Sequence, residues 1–512
     1  MVRSTFFGFE AAKTAIFANQ KSLDIVGNNL ANLDTDGYTR QRVERASIQV
    51  TSYSSRIASS TIGQAGRGVD TLGVSQIRDE FVDKCYRDEY SLASYYGKTS
   101  ENLNDVLNVF PEGADITADS GFVGGIEKLY ESLNKYIQEP TLDSEANIVK
   151  SAFSNMVQVI QQANKQLTTV AQRQTTDLGT TIKRTNEIME QIAHINQTIA
   201  GDASVVTDSS NEHFRPNELM DERNLLLDEL AEYGNINVMS QADGTVDVEM
   251  GGKLVIQGKE SDAFTMSTNE KGYVNVAWRS TGDSVSLKTG SINGYINVLN
   301  GRGNNVQSND ETPVQGIPYY RDRIDTFAAA LASVANSSIP NNVNGQPETV
   351  SGNIVYKTLL AAKKDDGTTD ATVPITAANI SISDQWTSGG PGYFIFSKTD
   401  NVEDYAQKLS ARLSDEKSTF TSYGENFEGT FSEYVIDIVG KLGTDVSFNE
   451  GRQEAAATVA EDFLSQRDAI SGVQKDEETT DMLKYQRSYE AAARIMTVMD
   501  ELLDTLINRI GT

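Results

Sequence analysis

SLDIVGNNLANLDTDGYTRQRV, residues 22–43, decides how the chain begins to fold. Asn32, Asp34 and Asp36 stand at every second position and Gly37 follows directly, which is the front half of an EF-hand calcium loop. Such a loop needs a bidentate Glu at its twelfth position to complete the oxygen cage. Counting from Asn32, that position is Val43, and Glu44 comes one step late. Arg40 and Arg42 also set two cations beside the supposed ion. The cluster therefore reads as a turn that stops a helix, built from residues that bond their own backbone and tolerate tight bends.

Upstream of the turn, Phe9, Ala12, Ile16, Asn19, Leu23, Val26, Leu30 and Leu33 recur at steps of three and four. This is a heptad seam with one polar residue, Asn19, and a buried Asn in a seam specifies register at a cost in stability. Gly27, Asn28 and Asn29 are poor helix formers, so propensity specifies the end of this helix weakly. The opposite end of the chain repeats the pattern. Met482, Tyr485, Tyr489, Ala492, Met496, Met499, Leu503, Leu506 and Ile510 keep the same spacing, and Asp476, Glu477 and Glu478 precede them where a helix dipole favours anions. A narrow apolar seam at both ends predicts coiled-coil pairing rather than burial in a globular core.

Between Ser144 and Ala200 there is no Pro, and Gly179 is the single Gly. Apolar residues from Phe153 to Ile195 recur at helical spacing, which predicts a rod-like helix with a potential break at Gly179. A shorter helix is expected over 221–234. The period then changes to two, predicting strands at 236–238, 246–248, 254–256 and 274–278 with Asp243-Gly244 as a hairpin turn. Helix is expected again over 319–335 and 431–464, with a second β-rich stretch between them at 354–356, 380–382 and 393–396.

The 512 residues carry 44 Lys+Arg against 72 Asp+Glu, a formal net charge of -28. That balance opposes binding to nucleic acid or anionic lipid. The single cysteine, Cys85, excludes an internal disulfide. No apolar run reaches the length of about 18 residues that a membrane helix needs, and Glu10 and Lys13 interrupt any secretory h-region. Of the two histidines, His194 falls inside the long helix and His213 in the acidic stretch NEHFRP. Neither belongs to a metalloprotease, nucleophile-elbow or phosphate-loop motif, and no catalytic residue, metal site or cofactor is expected.

Residues 22–43 resemble the N-terminal motif of bacterial flagellar rod, hook and hook-associated proteins. Asn28, Asn29, Leu30, Ala31 and Asn32 match its Asn-rich core, and Thr35, Asp36, Gly37 and Tyr38 its turn, with Asp36 where that family usually carries Pro. KYQRSYEAAARIMTVMDELLDTLIN, residues 484–508, is similar to the closing helix of the same family. Residues 67–91, 217–258 and 471–486 place the resemblance closest to its hook-associated, hook–filament junction branch, although Gln474 and Lys475 depart from the usual pattern. The resemblance weakens over 341–425. What it implies is an α+β multidomain chain with terminal coiled-coil helices, a long helical-bundle rod domain and inserted β-rich outer domains. The expected divisions are 1–62, an N-terminal assembly segment; 63–235, 290–340 and 426–471, three parts of the rod; 236–289, an outer β domain; 341–425, a second β-rich region; and 472–512, a C-terminal assembly helix.

The same resemblance implies a structural role, joining hook to filament by self-assembly in a helical ring. The hook protein would lie below and a second junction protein above. Export would run through the flagellar type III apparatus, without a cleaved signal, to the outside of the cell, with a cytoplasmic chaperone on the C-terminal helix. The assembly residues carried by the motifs are Leu23, Val26, Asn28, Asn29, Leu30, Asn32, Gly37 and Tyr38, together with the C-terminal seam. A hook or distal-rod protein is the alternative, and a secreted wall-degrading enzyme a more remote one.

Burying the larger seam residues is worth roughly 1.5–3 kcal/mol each, whereas ordering the backbone costs about 1–2 kcal/mol per residue. Each terminal helix alone is therefore marginal. Limited proteolysis of the free monomer is expected to trim both ends before the middle; ends as resistant as the middle would contradict the seam reading.

Overall fold

The computed structural model describes residues 5–48, 68–111, 121–203, 216–304, 306–344, 346–396, 403–422 and 425–505. Helix α1 (Thr5–Ala31) runs through Gly27, Asn28 and Asn29 without fraying. Beyond it, the Asn32, Thr35 and Tyr38 amides donate to carbonyls three or four residues back and wind the polar cluster into consecutive turns. Strands β1 (Gln41–Ser47) and β2 (Val69–Gln76) then pair antiparallel, with a bulge at Glu44/Arg45. This ladder joins residues on either side of the 62/63 division.

Helix α2 (Glu80–Leu107), capped by Asp79, leads into α3 (Gly121–Gln138) and α4 (Asp143–Ala203). The 61 residues of α4 form one helix, roughly 90 Å long at 1.5 Å per residue. It does not break at Gly179, because a Gly inside a helix costs only about 1 kcal/mol and the neighbours on both sides hold the register. Phe153, Met156, Ile160, Leu167, Leu178, Ile188 and Ile192 lie fully buried along one stripe of it. Helices α5 (Asn217–Tyr233), α6 (Ser291–Leu299) and α7 (Ile317–Asn336) return against α2 and α4.

The first β region holds a four-stranded antiparallel sheet, β3 (Ile236–Ser240), β4 (Val246–Met250), β5 (Lys253–Gln257) and β6 (Glu260–Ser261), beside the hairpin β7 (Phe264–Thr268) and β8 (Val274–Trp278). The turn at Asp243-Gly244 is present: Asp243 Oδ1 accepts from the Thr245 amide, and Gly244 takes a φ of +83°. The second region is thinner. Short ladders β9 (Asn342–Val343) with β10 (Gln346–Pro347) and β11 (Thr349–Val350) with β12 (Asn353–Ile354) precede a sheet of β13 (Leu360–Lys363), β14 (Thr369–Asp370) and β15 (Ile380–Ile382).

The expected strand at 393–396 is corrected. After the short helix α8 (Asp384–Gly389), Gly390 adopts φ +59° and Pro391 opens a helical turn, α9 (Pro391–Phe394). The aromatic residues that read as a strand serve a core instead: Phe394 stacks on Trp386 at 5.6 Å and meets Tyr136 edge-on at 5.0 Å. Helix α10 (Glu403–Ser414) and the hairpin β16 (Ser418–Ser422)–β17 (Glu425–Gly429) lead to α11 (Phe431–Ser471), which opens with a Thr430/Glu433 capping box and packs along α2. The last helix is α12 (Lys475–Asp504).

Helix meets strand through asparagine. Asn196 on α4 donates from Nδ2 to the Val246 carbonyl at 2.8 Å, and its Oδ1 accepts from the Val246 amide at 3.2 Å. Asn186 does the same with Phe264, at 3.0 and 2.7 Å. Each bond is worth about 1 kcal/mol, and each buried group left unpaired costs about 1–3 kcal/mol. Asn196→Ala is therefore expected to destabilise the protein by about 3 kcal/mol in urea unfolding, and a loss below about 1 kcal/mol would show that the carboxamide is dispensable.

Candidate assembly interface

Helices α1 and α12 lie antiparallel, so that the end of α1 meets the start of α12 and Gly8 faces Met499. A Cβ on Gly8 would collide with the Met499 side chain, and the glycine thus admits the thioether. On α1, Ala12, Asn19 and Val26 are buried, whereas Phe9, Ile16, Leu23 and Leu30 are half-buried and Leu33 is exposed. On α12, Ala492 is buried and Met482, Tyr485, Met496, Met499 and Leu503 are half-buried, while Tyr489 is 37% exposed. Leu506 and Ile510 lie outside the described residues.

The polar seam residue has a partner. Asn19 Oδ1 accepts from Arg45 Nη1 at 3.3 Å, and Arg45 also donates from Nη2 to the Ala18 carbonyl and to Ser22 Oγ. The same guanidinium lies 4.9 Å from the centre of the Tyr485 ring. One arginine of β1 thereby bridges the two terminal helices.

Asn29 is the hub. It is 1% exposed, and both faces of its carboxamide are used. Oδ1 accepts from the Gln41 amide at 3.1 Å and the Tyr38 hydroxyl at 2.8 Å. Nδ2 donates to the Gln41 carbonyl at 2.9 Å and to Glu478 Oε2 at 3.1 Å. Asn28 Nδ2 donates to the Tyr38 hydroxyl, and Asn32 Nδ2 donates back to the Asn28 carbonyl and Oδ1, so the three asparagines lock the helix end that propensity left weak. Gly37 sits at φ +78°, and a Cβ there would come within 2.5 Å of Leu225 on α5. Burial, helped by Asp221, Glu218 and Glu478, pushes the Tyr38 phenol well above its ordinary range and keeps it a neutral donor.

Arg40 fastens this hub to α12. Its Nε and Nη1 donate to Glu478 and Glu477, both at 2.6 Å, and its amide donates to the Ser471 carbonyl at the end of α11. Glu477 and Glu478 occupy the first turn of α12, where the helix dipole also favours them. The link to the helical body is Asp221 of α5, which accepts from the Thr39 amide at 3.3 Å and from Gln76 Nε2 at 2.8 Å. Arg40, Arg45, Gln76 and Asp221 were not among the residues expected from the motifs. An Arg directly after the Tyr-Thr turn and a Glu pair ahead of the last seam were the available signals, since unlike charges near helix ends seek partners.

Among the described residues no group of His, Cys, Asp and Glu could hold a metal, and no helix is long and apolar enough to cross a membrane. His194 is exposed on α4, His213 lies outside the described residues, and Cys85 is a half-buried free thiol.

Burial raises the Asp221 carboxyl from 3.8 to about 6, against its bonds to Thr39 and the nearby Arg78. The folded carboxyl thus holds its proton to higher pH than the unfolded one. Its stabilising contribution is complete below about pH 4 and lost as pH rises through about 6. Asp221→Asn keeps an acceptor without the charge. In thermal melts its Tm is expected to gain on that of the parent as pH rises from about 4 to 7.5; a constant difference would contradict the assignment.

Comparison with known proteins finds relatives over nearly the whole chain. The family model described as the flagellar hook-associated protein FlgK helical domain matches residues 114–389. The terminal units match models of flagellar basal body rod proteins, over 9–39 for the rod protein and 465–509 for the FlgEFG C-terminal region. Flagellar hook-associated protein 1 of Bacillus subtilis is 30% identical over 539 residues, covering 99% of each chain. Its namesake from Salmonella typhimurium is 22% identical over 580 residues, covering 97% of this chain and 98% of its own. The solved structure of the flagellar hook junction protein FlgK from Burkholderia pseudomallei shares the fold, with a TM-score of 0.52 at 12% identity, over 77% of this chain and all of that one. The chain belongs to the flagellar hook-associated protein 1 family and is a structural component of the bacterial flagellum.

Proposed function

We propose that this protein joins hook to filament, its copies stacking in a helical ring on the hook tip with their α1–α12 pairs continuing the inner tube. One observation carries the reading. Beside the face that α12 turns to α1 runs a second seam of the same three–four spacing, Ala491, Ile495, Val498 and Leu502, and it is exposed: Ile495 by 51%, Val498 by 53% and Leu502 by 49%. A helix with two apolar stripes and, among the described residues, one helical partner calls for a further helix. Neighbouring copies supply it in a tube.

The hook protein below and a second junction protein above are the partners this position implies. The role is mechanical rather than catalytic: the ring accommodates a bending hook to a rigid filament. Within the chain we assign 1–62 and 472–512 to assembly, 63–235, 290–340 and 426–471 to the rod, 236–289 to an outer β domain, and 341–425 to a second β-rich region whose helices α9 and α10 pack back on α4 and α3. The motif residues from Leu23 to Tyr38 and from Met482 to Ile510 serve the tube. Export unfolded through the flagellar type III channel leaves the seams sticky in the cytoplasm, and a chaperone covering the C-terminal helix meets that need.

Electron microscopy of cells lacking the protein is expected to show hooks without filaments, with flagellin shed into the medium. Missing hooks would move the protein down the axis, and intact filaments would refute the role. Leu503→Asp with Leu506→Asp should reproduce the filament-free state while the middle of the chain stays folded.

A further inference from the structure

A cavity of about 470 Å³ lies between the start of α2, helix α5 and the β3–β4 edge. Its walls are partly apolar, with Met220, Leu227, Val238 and the 71%-exposed Phe81. Its polar lining is rich in cations, Arg78, Lys84, Arg87 and Arg223.

Two of these arginines are paired. Arg78 holds Asp83 at 2.5 Å, and Arg87 holds Asp228 at 2.6 Å. Arg223 differs. It is 4% exposed and has no carboxylate within 4.0 Å among the described residues; Nη1 donates to Asn196 Oδ1 and the Gly244 carbonyl, both at 2.9 Å, and the buried Nε donates to nothing. The buried Arg87 Nη2 likewise has no acceptor among the described residues. Neutral oxygens compensate a buried guanidinium poorly, and a buried charge without a counter-ion is destabilising. Burial, and repulsion from Arg78 and Arg87, pull the Arg223 pKa down to about 10, which is still a full positive charge near neutrality. The acids that line the cavity do not answer it: Asp83 is bound to Arg78, and Glu80 accepts from Ser240.

We propose that this cavity is a carboxylate-binding site, with Arg223 as the anchoring cation and Arg87 Nη2 as a second donor. A guanidinium edge matches the two oxygens of a carboxylate, and the Met220, Leu227 and Val238 walls suit the carbon stem behind it. The carboxylate comes either from an acidic side chain of a second copy, in a chain with 72 Asp+Glu, or from a small free acid.

The test uses the full chain labelled with [15N]arginine, titrated with sodium acetate against sodium chloride at equal ionic strength. The Arg223 Nε–H resonance, identified by its loss in Arg223→Lys, is expected to shift saturably with acetate and not with chloride. No shift, or an equal shift with chloride, overturns the site. Met220→Glu gives an independent reading should Arg223→Lys not fold. A tethered carboxylate should raise Tm and abolish the acetate response, and a lowered Tm with the response intact overturns the proposal. With the site established, Arg223→Gln separates the sources. Lost association between copies places the carboxylate on a neighbour, and unchanged association places it on a small acid.

Discussion

The fold depends on one interaction used repeatedly: an asparagine carboxamide on a helix that bonds both backbone groups of a single strand-edge residue. Among the described residues Asn29 does this with Gln41, Asn186 with Phe264, Asn196 with Val246 and Asn336 with Leu360, and Asn300, the residue just past the end of α6, does it with Val274. A strand that ends against a helix exposes an N–H and a C=O that the helix backbone cannot satisfy, because its own groups are paired internally. The carboxamide has the shape of a peptide group and offers one donor face and one acceptor face. It therefore extends the ladder by one step onto the helix. Apolar contact alone would let the small sheets slide along α4, since dispersion and burial are not directional, whereas the paired bonds fix one register.

At the ends of the chain the same device carries a second duty. Asn29 clamps Gln41 and also reaches Glu478, so strand, turn and C-terminal helix converge on one side chain. Arg40 adds the charge pairing to Glu477 and Glu478, and Asp221 ties the adjoining Thr39 and Gln76 to α5. The terminal helix pair is in this way coupled to the helical body through polar bonds of defined direction. The apolar stripe left exposed on α12 lies apart from the hub, whose Glu477 and Glu478 occupy the first turn of that helix.

Period and length made much of this legible. The long helix, strands β3, β4, β5 and β8 and the closing helices follow from spacing alone, because burial of one stripe or one face dominates there, whereas β6 and β7 were not expected. Strands β1 and β2 escaped notice because QRVERAS carries charge on both faces and is held by Asn29 and Arg45, not by a core. Residues 393–396 misled because aromatic residues favour strands only where the backbone is extended, and Gly390 with Pro391 bends it. The Asn-rich motif marked the right place, but helix propensity misjudged Asn28 and Asn29, whose cost is offset by bonds to residues 9–12 positions ahead and to one 449 positions away. Such partners leave no local pattern. Arg223 is invisible for the same reason, since the sequence cannot show that no acid lies near it.

The clamp account is tested most directly by residue-resolved hydrogen exchange of the native full chain. The amides of Gln41, Phe264, Val246, Val274 and Leu360 face side chains rather than a neighbouring strand at these bonds. If the carboxamides hold them persistently, these five amides exchange as slowly as the ladder amides beside them. Exchange at the rate of open strand edges would mean that the clamps are transient and that apolar packing alone sets the register.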